Sequence, residues 1–219
     1  TILNAVQEGL VRVYTNEDGT SELQPAGAES WETSEDGLTW TFKLRKNSTW
    51  SNGTPVTAHD FEYSWKRTLT PETAAEYSYI MADIVGSSTK EIQENGVDGV
   101  GVKALDDYTL EVKLNRPVAY FAELVSFQVF FPQNQAFVES CGDAYGSAAD
   151  KQLYNGPFTL TSWKMEDQFT MEKNPNYWDA ANVKLNKINT KVVKDTGAEV
   201  SLYEDGQIDR AILSSDYVD

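Results

Sequence analysis

AESWETSEDGLTWTFKLRKNSTWSNGTPVTAHDFEYSWKRTL, Ala28–Leu69, is the most legible stretch of the chain and sets how the rest is read. Ala28–Thr33 runs into the turn Ser34-Glu35-Asp36-Gly37, and Leu38–Arg45 returns. In the return strand Leu38, Trp40, Phe42 and Leu44 fall on one face, and Thr39, Thr41, Lys43 and Arg45 on the other. That is the period-2 alternation of a half-buried antiparallel strand. Ser51-Asn52-Gly53 then supplies a tight turn, because Asn-Gly accepts positive φ. A helix follows: Thr57 with Asp60 three residues on has the form of a capping box. Phe61, Trp65 and Leu69 recur every four residues as one apolar stripe, and Pro71 ends it.

A chain of 219 residues has room for one large core or two modest ones. Its 40% hydrophobic and 24% charged residues fit an ordinary globular protein. No run approaches the roughly 20 apolar residues of a membrane span. Thr1-Ile2-Leu3-Asn4 reads as the middle of an element, so the lack of a leader there says little about compartment. The formal charge of −16, with eight acids against Arg12 alone in the first 42 residues, argues against nucleic acid and anionic membrane surfaces as partners. With Cys141 as the single cysteine, no internal disulfide is possible, and a small buried apolar role is favoured over a reactive thiol. His59, the single histidine, falls on the solvent side of the first turn of the Thr57 helix and makes a poor general base. No nucleophile elbow, phosphate loop, dinucleotide glycine pattern or metal-ligand cluster appears, so neither enzyme chemistry nor a cofactor is expected.

Outward from the opening stretch, a short helix and a strand through Leu10, Val11 and Val13 come first, closed by the turn Asn16-Glu17-Asp18-Gly19. That loop lacks the ligand spacing of a calcium site. Pro71–Ala82 is helix-compatible, and Gly86–Val100 reads as a helix with loops. Val102–Leu105 and Leu110–Leu114 form a hairpin. Pro117 suits the start of a short helix over Tyr120, Phe121 and Leu124, and Phe127–Phe131 (FQVFF) reads as a strand. Asn134 caps a helix that Gly142 closes, and Gly146–Asp150 is the best linker candidate. Phe158–Trp163 and Phe169–Lys173 form a further hairpin, and Lys187–Val193 alternates again. Thr196 with Glu199 reads as a second capping box, Gly206 ends that helix, and Ile208–Leu213 reads as a returning strand, together a βαβ unit. The six Trp, eleven Tyr and nine Phe mostly fill cores, and a minority can line a cleft.

The order A-E-S-W, E-D-G-L-T-W-T-F-K-L-R, W-S-N-G-T-P-V-T-A-x-D-F-x-Y-S-W-K-R resembles the signature region of the oligopeptide- and dipeptide-binding proteins of bacterial ABC importers, solute-binding protein family 5. Gly101–Leu114, Pro117–Leu124, Tyr154–Phe158, Lys173–Trp178 and the run Leu202-Tyr203-Glu204-x-Gly206-x-Ile208-Asp209 resemble the same family, in its order, over essentially the whole chain. The resemblance implies a mixed α/β (α+β) fold. A small inserted domain with antiparallel hairpins and helices (residues 1–152) is followed by a βαβ-containing part of a type II periplasmic-binding-protein lobe (153–219), the second lobe being absent. It implies an extracytoplasmic, monomeric solute-binding component that captures peptides and passes them to an ABC permease, in the periplasm or lipid-anchored at the cell surface, with no metal, cofactor or catalytic residue. By the same resemblance Tyr77, Phe127 and Leu213 are peptide-contacting positions, and Asn155 and Gly156 form a hinge where the chain returns to the first lobe. Other ligands within the family (a dipeptide, a nickel complex, an oligosaccharide), a pheromone-sensing module and, third, an enzyme remain open alternatives.

Overall fold

The computed structural model describes residues 2–213. The chain runs α1 (Ile2–Val6), β1 (Val11–Thr15), β2 (Ser21–Pro25), β3 (Ala28–Thr33), β4 (Thr39–Leu44), α2 (Ala58–Leu69), α3 (Thr89–Asn95), β5 (Val102–Asp106), β6 (Thr109–Lys113), α4 (Phe121–Leu124), α5 (Gln135–Cys141), β7 (Phe158–Lys164), β8 (Gln168–Lys173), β9 (Lys187–Lys191) and α6 (Thr196–Glu204), with short 3-10 turns between. This is the expected mixed α/β architecture of antiparallel sheets and helices.

The opening stretch behaves as its alternation dictates. β4 sits inside a four-stranded antiparallel sheet of order β3-β4-β6-β5. Trp40 faces Val112, Phe42 faces Leu110 and Val102 faces Val112 across the ladders, so every inward side chain meets another. α2 covers that face. Phe61 and Trp65 are buried in the same core as Phe42, Leu110 and Trp50. At its N-terminus the Asp60 carboxylate accepts the Thr57 N–H at 2.8 Å and the Trp50 indole N–H at 3.2 Å, so the cap also anchors a core tryptophan. A second, smaller core gathers Phe158, Leu160 and Met171 from the three-stranded sheet β7-β8-β9, together with Tyr154 just before it and Val6 of α1.

Several local expectations are corrected. Pro71–Ala82 is not one helix but two 3-10 turns, Pro71–Thr73 and Ser78–Met81, broken by Ala74 in the left-handed region at φ 48°. α4 starts at Phe121, leaving Pro117 outside it and Tyr120 exposed at its N-cap. FQVFF is not a strand: Gln128–Phe130 is a 3-10 turn. Its carbonyls serve α2 rather than a neighbouring strand, Phe130 accepting from the Trp65 indole at 2.8 Å and Phe131 from the Ser64 hydroxyl at 2.6 Å. α6 is capped by Asp195, whose side chain accepts the Ala198 N–H at 2.8 Å, and Thr196 is its first helical residue. Glu199 reaches instead to the Ile212 N–H at 2.9 Å. Ile208–Leu213 pairs with no strand among the described residues, and β9 is antiparallel to β8, so the βαβ unit is not formed there. Alternating apolar residues signal extended backbone, but a strand also needs a partner.

Candidate functional site

A cleft of about 460 Å³ is lined by Gly9, Phe127, Gln128 and Phe131 together with Asn4 of α1 and Pro157, which precedes β7. Gly9 is required for the fit. A Cβ there would sit 2.8 Å from the Phe131 ring. Phe127 leads into the Gln128–Phe130 turn, which the Trp65 and Ser64 bonds fix to α2.

The structure brings two of the sequence-nominated residues together. Tyr77 packs edge-on against Phe127 with ring centroids 5.5 Å apart, and Tyr79 lies 6.2 Å from Tyr77. Tyr77 is 50% and Phe127 42% exposed, an apolar face that the fold leaves uncovered beside the cleft. Leu213 is 51% exposed and does not line the cleft.

Asn155 and Gly156 lie where the chain passes between the cores. Asn155 is 2% exposed, and its carboxamide copies a strand partner: it accepts the Glu8 N–H at 3.0 Å and donates to the Glu8 carbonyl at 2.9 Å. The Gly156 N–H donates to the Val6 carbonyl at 3.0 Å, and the Asn174 side chain donates to the Gly156 carbonyl at 2.9 Å. A Cβ on Gly156 would fall 2.6 Å from Gln7 N and from the Val6 carbonyl carbon. Only glycine lets the two passing segments lie this close.

Beside this junction lies a buried carboxylate that the sequence did not single out. Glu8 accepts from the Tyr177 hydroxyl through one oxygen and from the Trp178 indole through the other. Arg12 stands 3.7 Å from Glu8 and 3.7 Å from Asp179, and the Arg45 guanidinium stacks on the Trp178 ring at 3.7 Å. Burial raises the Glu8 pKa above the ordinary carboxylate value, with the Tyr177 and Trp178 hydrogen bonds and the two arginines opposing it. Burial, and then the Glu8 charge, raise the Tyr177 pKa as well. The available signal was one acid inside the otherwise apolar or neutral run Ala5–Val11, which a solvated acid would not explain. Among the described residues no cluster of His, Cys, Asp and Glu suits a metal ion.

Residues 22–219 match the family model for the bacterial extracellular solute-binding proteins, family 5, middle region. The chain belongs to that family. It is 39% identical over 217 residues to the dipeptide-binding protein DppE of Bacillus subtilis, covering 99% of this chain and 39% of DppE. It is 40% identical over 210 residues to the oligopeptide-binding protein OppA of the same organism, covering 96% of this chain and 38% of that one. Among solved structures, the substrate-binding domain of an oligopeptide ABC transporter from Bacillus anthracis superposes with a TM-score of 0.93 at 46% identity, covering 99% of this chain and 41% of that one. Listeria monocytogenes OppA bound to peptide superposes with a TM-score of 0.90 at 42% identity, covering 99% of this chain and 42% of that one. The family 5 chain described here thus spans about two fifths of the length of these relatives.

Proposed function

We propose that this family 5 chain forms one wall of the peptide site in an extracytoplasmic solute-binding protein that captures oligopeptides and delivers them to an ABC permease, without catalysing any reaction. The observation that carries this reading is the Tyr77–Phe127 pair, two exposed rings in edge contact beside the cleft. Exposed aromatics on an anchored support take up varied side chains with little loss of conformational entropy. Main-chain hydrogen bonds then supply affinity that is blind to sequence. Similarity to a relative solved with peptide bound supports the ligand class. Leu213, which lies outside this cleft, is assigned a ligand contact by the family resemblance alone, and Asn155 with Gly156 serves as the hinge-side crossing between two units. In this reading the first unit takes the larger core, from Leu10 to Leu153, and the second takes Tyr154 onward together with α1, in keeping with the two cores. The intact protein acts as a monomer, periplasmic or lipid-anchored at the cell surface.

Tyr77→Ala in the intact protein should weaken oligopeptide binding by about 1–2 kcal/mol, the scale of removing one contacting aromatic. Isothermal calorimetry on matched wild-type and variant proteins measures it. Unchanged affinity at unchanged melting temperature would remove Tyr77 from the ligand face.

A further inference from the structure

The rim of the cleft is bridged by a bond between two side chains 124 positions apart: the Gln128 carboxamide donates to the Asn4 carboxamide at 2.9 Å. Each end stands on a fixed support. Gln128 opens the 3-10 turn that Trp65 and Ser64 hold against α2, and Asn4 lies on α1, which packs in the second core. The bond therefore links the two walls of the cleft, one residue from Phe127. Asn4 is exposed and Gln128 half-buried. A hydrogen bond in such a place exchanges with water and contributes little, so a ligand can replace it at small cost.

The chemistry around the bridge is neutral. The cation that lines the cleft, Arg12, is already engaged by Glu8 and Asp179 at 3.7 Å each. Glu8, which also lines the cleft, is engaged in turn by Tyr177, Trp178 and Arg12, so neither charged terminus of a peptide finds a ready counter-ion here. A carboxamide, by contrast, carries the same donor and acceptor as a peptide group.

We propose that Asn4 and Gln128 read the ligand's main chain: an incoming peptide group enters between them and replaces their mutual bond with one bond to each. The inference rests on the peptide-binding reading above and assigns it two further contact residues, one on each wall. Because the contacts are to main chain, they act alike on peptides of any side chain, whereas the Tyr77–Phe127 face discriminates among side chains.

The test uses the intact protein, with trialanine and trilysine as calorimetric probes and melting temperature as a fold control. Asn4→Ala and Gln128→Ala should each weaken both peptides by a similar factor, roughly three- to tenfold, the range of one lost hydrogen bond. Gln128→Met, which keeps the side-chain length and removes both polar atoms, should do the same if Gln128→Ala folds poorly. Unchanged or tighter binding in these variants would overturn the proposal and leave the bridge as a brace between the walls. A loss confined to one of the two peptides would overturn it too, since main-chain contacts cannot tell them apart. Wild-type protein that binds neither peptide would overturn the peptide-binding reading itself, a result visible before any variant is made.

Discussion

Glu8 is buried with both carboxylate oxygens already accepting, from Tyr177 and from Trp178. Its folded pKa is raised, so between the ordinary value of 4.5 and that raised value the folded state holds more proton than the unfolded one. Stability from this group is therefore fully present at low pH and is lost as pH rises through the folded pKa. Glu8→Gln keeps the shape and, through its carbonyl oxygen, the Trp178 bond, but it removes the second acceptor and so leaves the Tyr177 hydroxyl proton without its partner, a loss of about 1–3 kcal/mol when buried. Urea unfolding of both proteins at pH 5 and pH 7 should show wild type the more stable at both, by a wider margin at pH 5. The other carboxylates titrate in both proteins and cancel in the difference. A margin that narrows on acidification would mean that hydrogen bonding outweighs burial at Glu8. Tyr177 and Trp178 stood out in the sequence only within the family-like run Lys173–Trp178, and nothing local tied them to an acid 169 and 170 positions earlier.

Elements whose cause is local were legible. The β4 alternation and the Phe61, Trp65, Leu69 stripe of α2 are set by the period of their own backbone, and both formed where the pattern placed them. FQVFF failed because its aromatic density reports burial and not geometry. Its geometry is set by α2, more than sixty positions earlier, which takes the Phe130 and Phe131 carbonyls. Tyr77 and Phe127 could be nominated only through family resemblance, and their contact is a product of two irregular segments with no periodic signal. At α6 the miss was one residue. Thr196 has the chemistry of a cap, but Asp195 precedes it and its carboxylate accepts the Ala198 N–H at 2.8 Å, which leaves Thr196 inside the first turn. No residue of α6 is buried, so little but its capping and its own hydrogen bonds holds it. Asp195→Ala should therefore cost about 1 kcal/mol of local stability, and Thr196→Ala less than half of that. Segment-resolved hydrogen exchange over Ala198–Tyr203 reads both. Equal deprotection by the two variants would return the cap to Thr196.

The two cores are joined by backbone contact as well as by chain. Glu8 pairs with the Asn155 side chain and the Ser51 N–H donates to the Tyr154 carbonyl at 2.7 Å, while Gly156 bonds to Val6 within the smaller body. Gly156→Ala would press a methyl group into the Gln7 backbone, which has no flexible end to yield. The strain should cost about 1–3 kcal/mol and raise exchange in both cores together, in β4 and β6 as well as in β7 and β8. Deprotection of β7 and β8 alone would show that the cores open independently. The same close approach bears on how such a molecule can be assembled. The chain leaves the smaller body at Val6 and comes back to it at Gly156, and those two residues are a single hydrogen bond apart at 3.0 Å. The backbone crosses between the two bodies at that one place, and side-chain contacts such as Arg45 on Trp178 widen the seam. A gene could gain or lose that whole unit at one seam, but a splice from Val6 to Gly156 would take Glu8 with it, so Tyr177 and Trp178 would need a new acceptor.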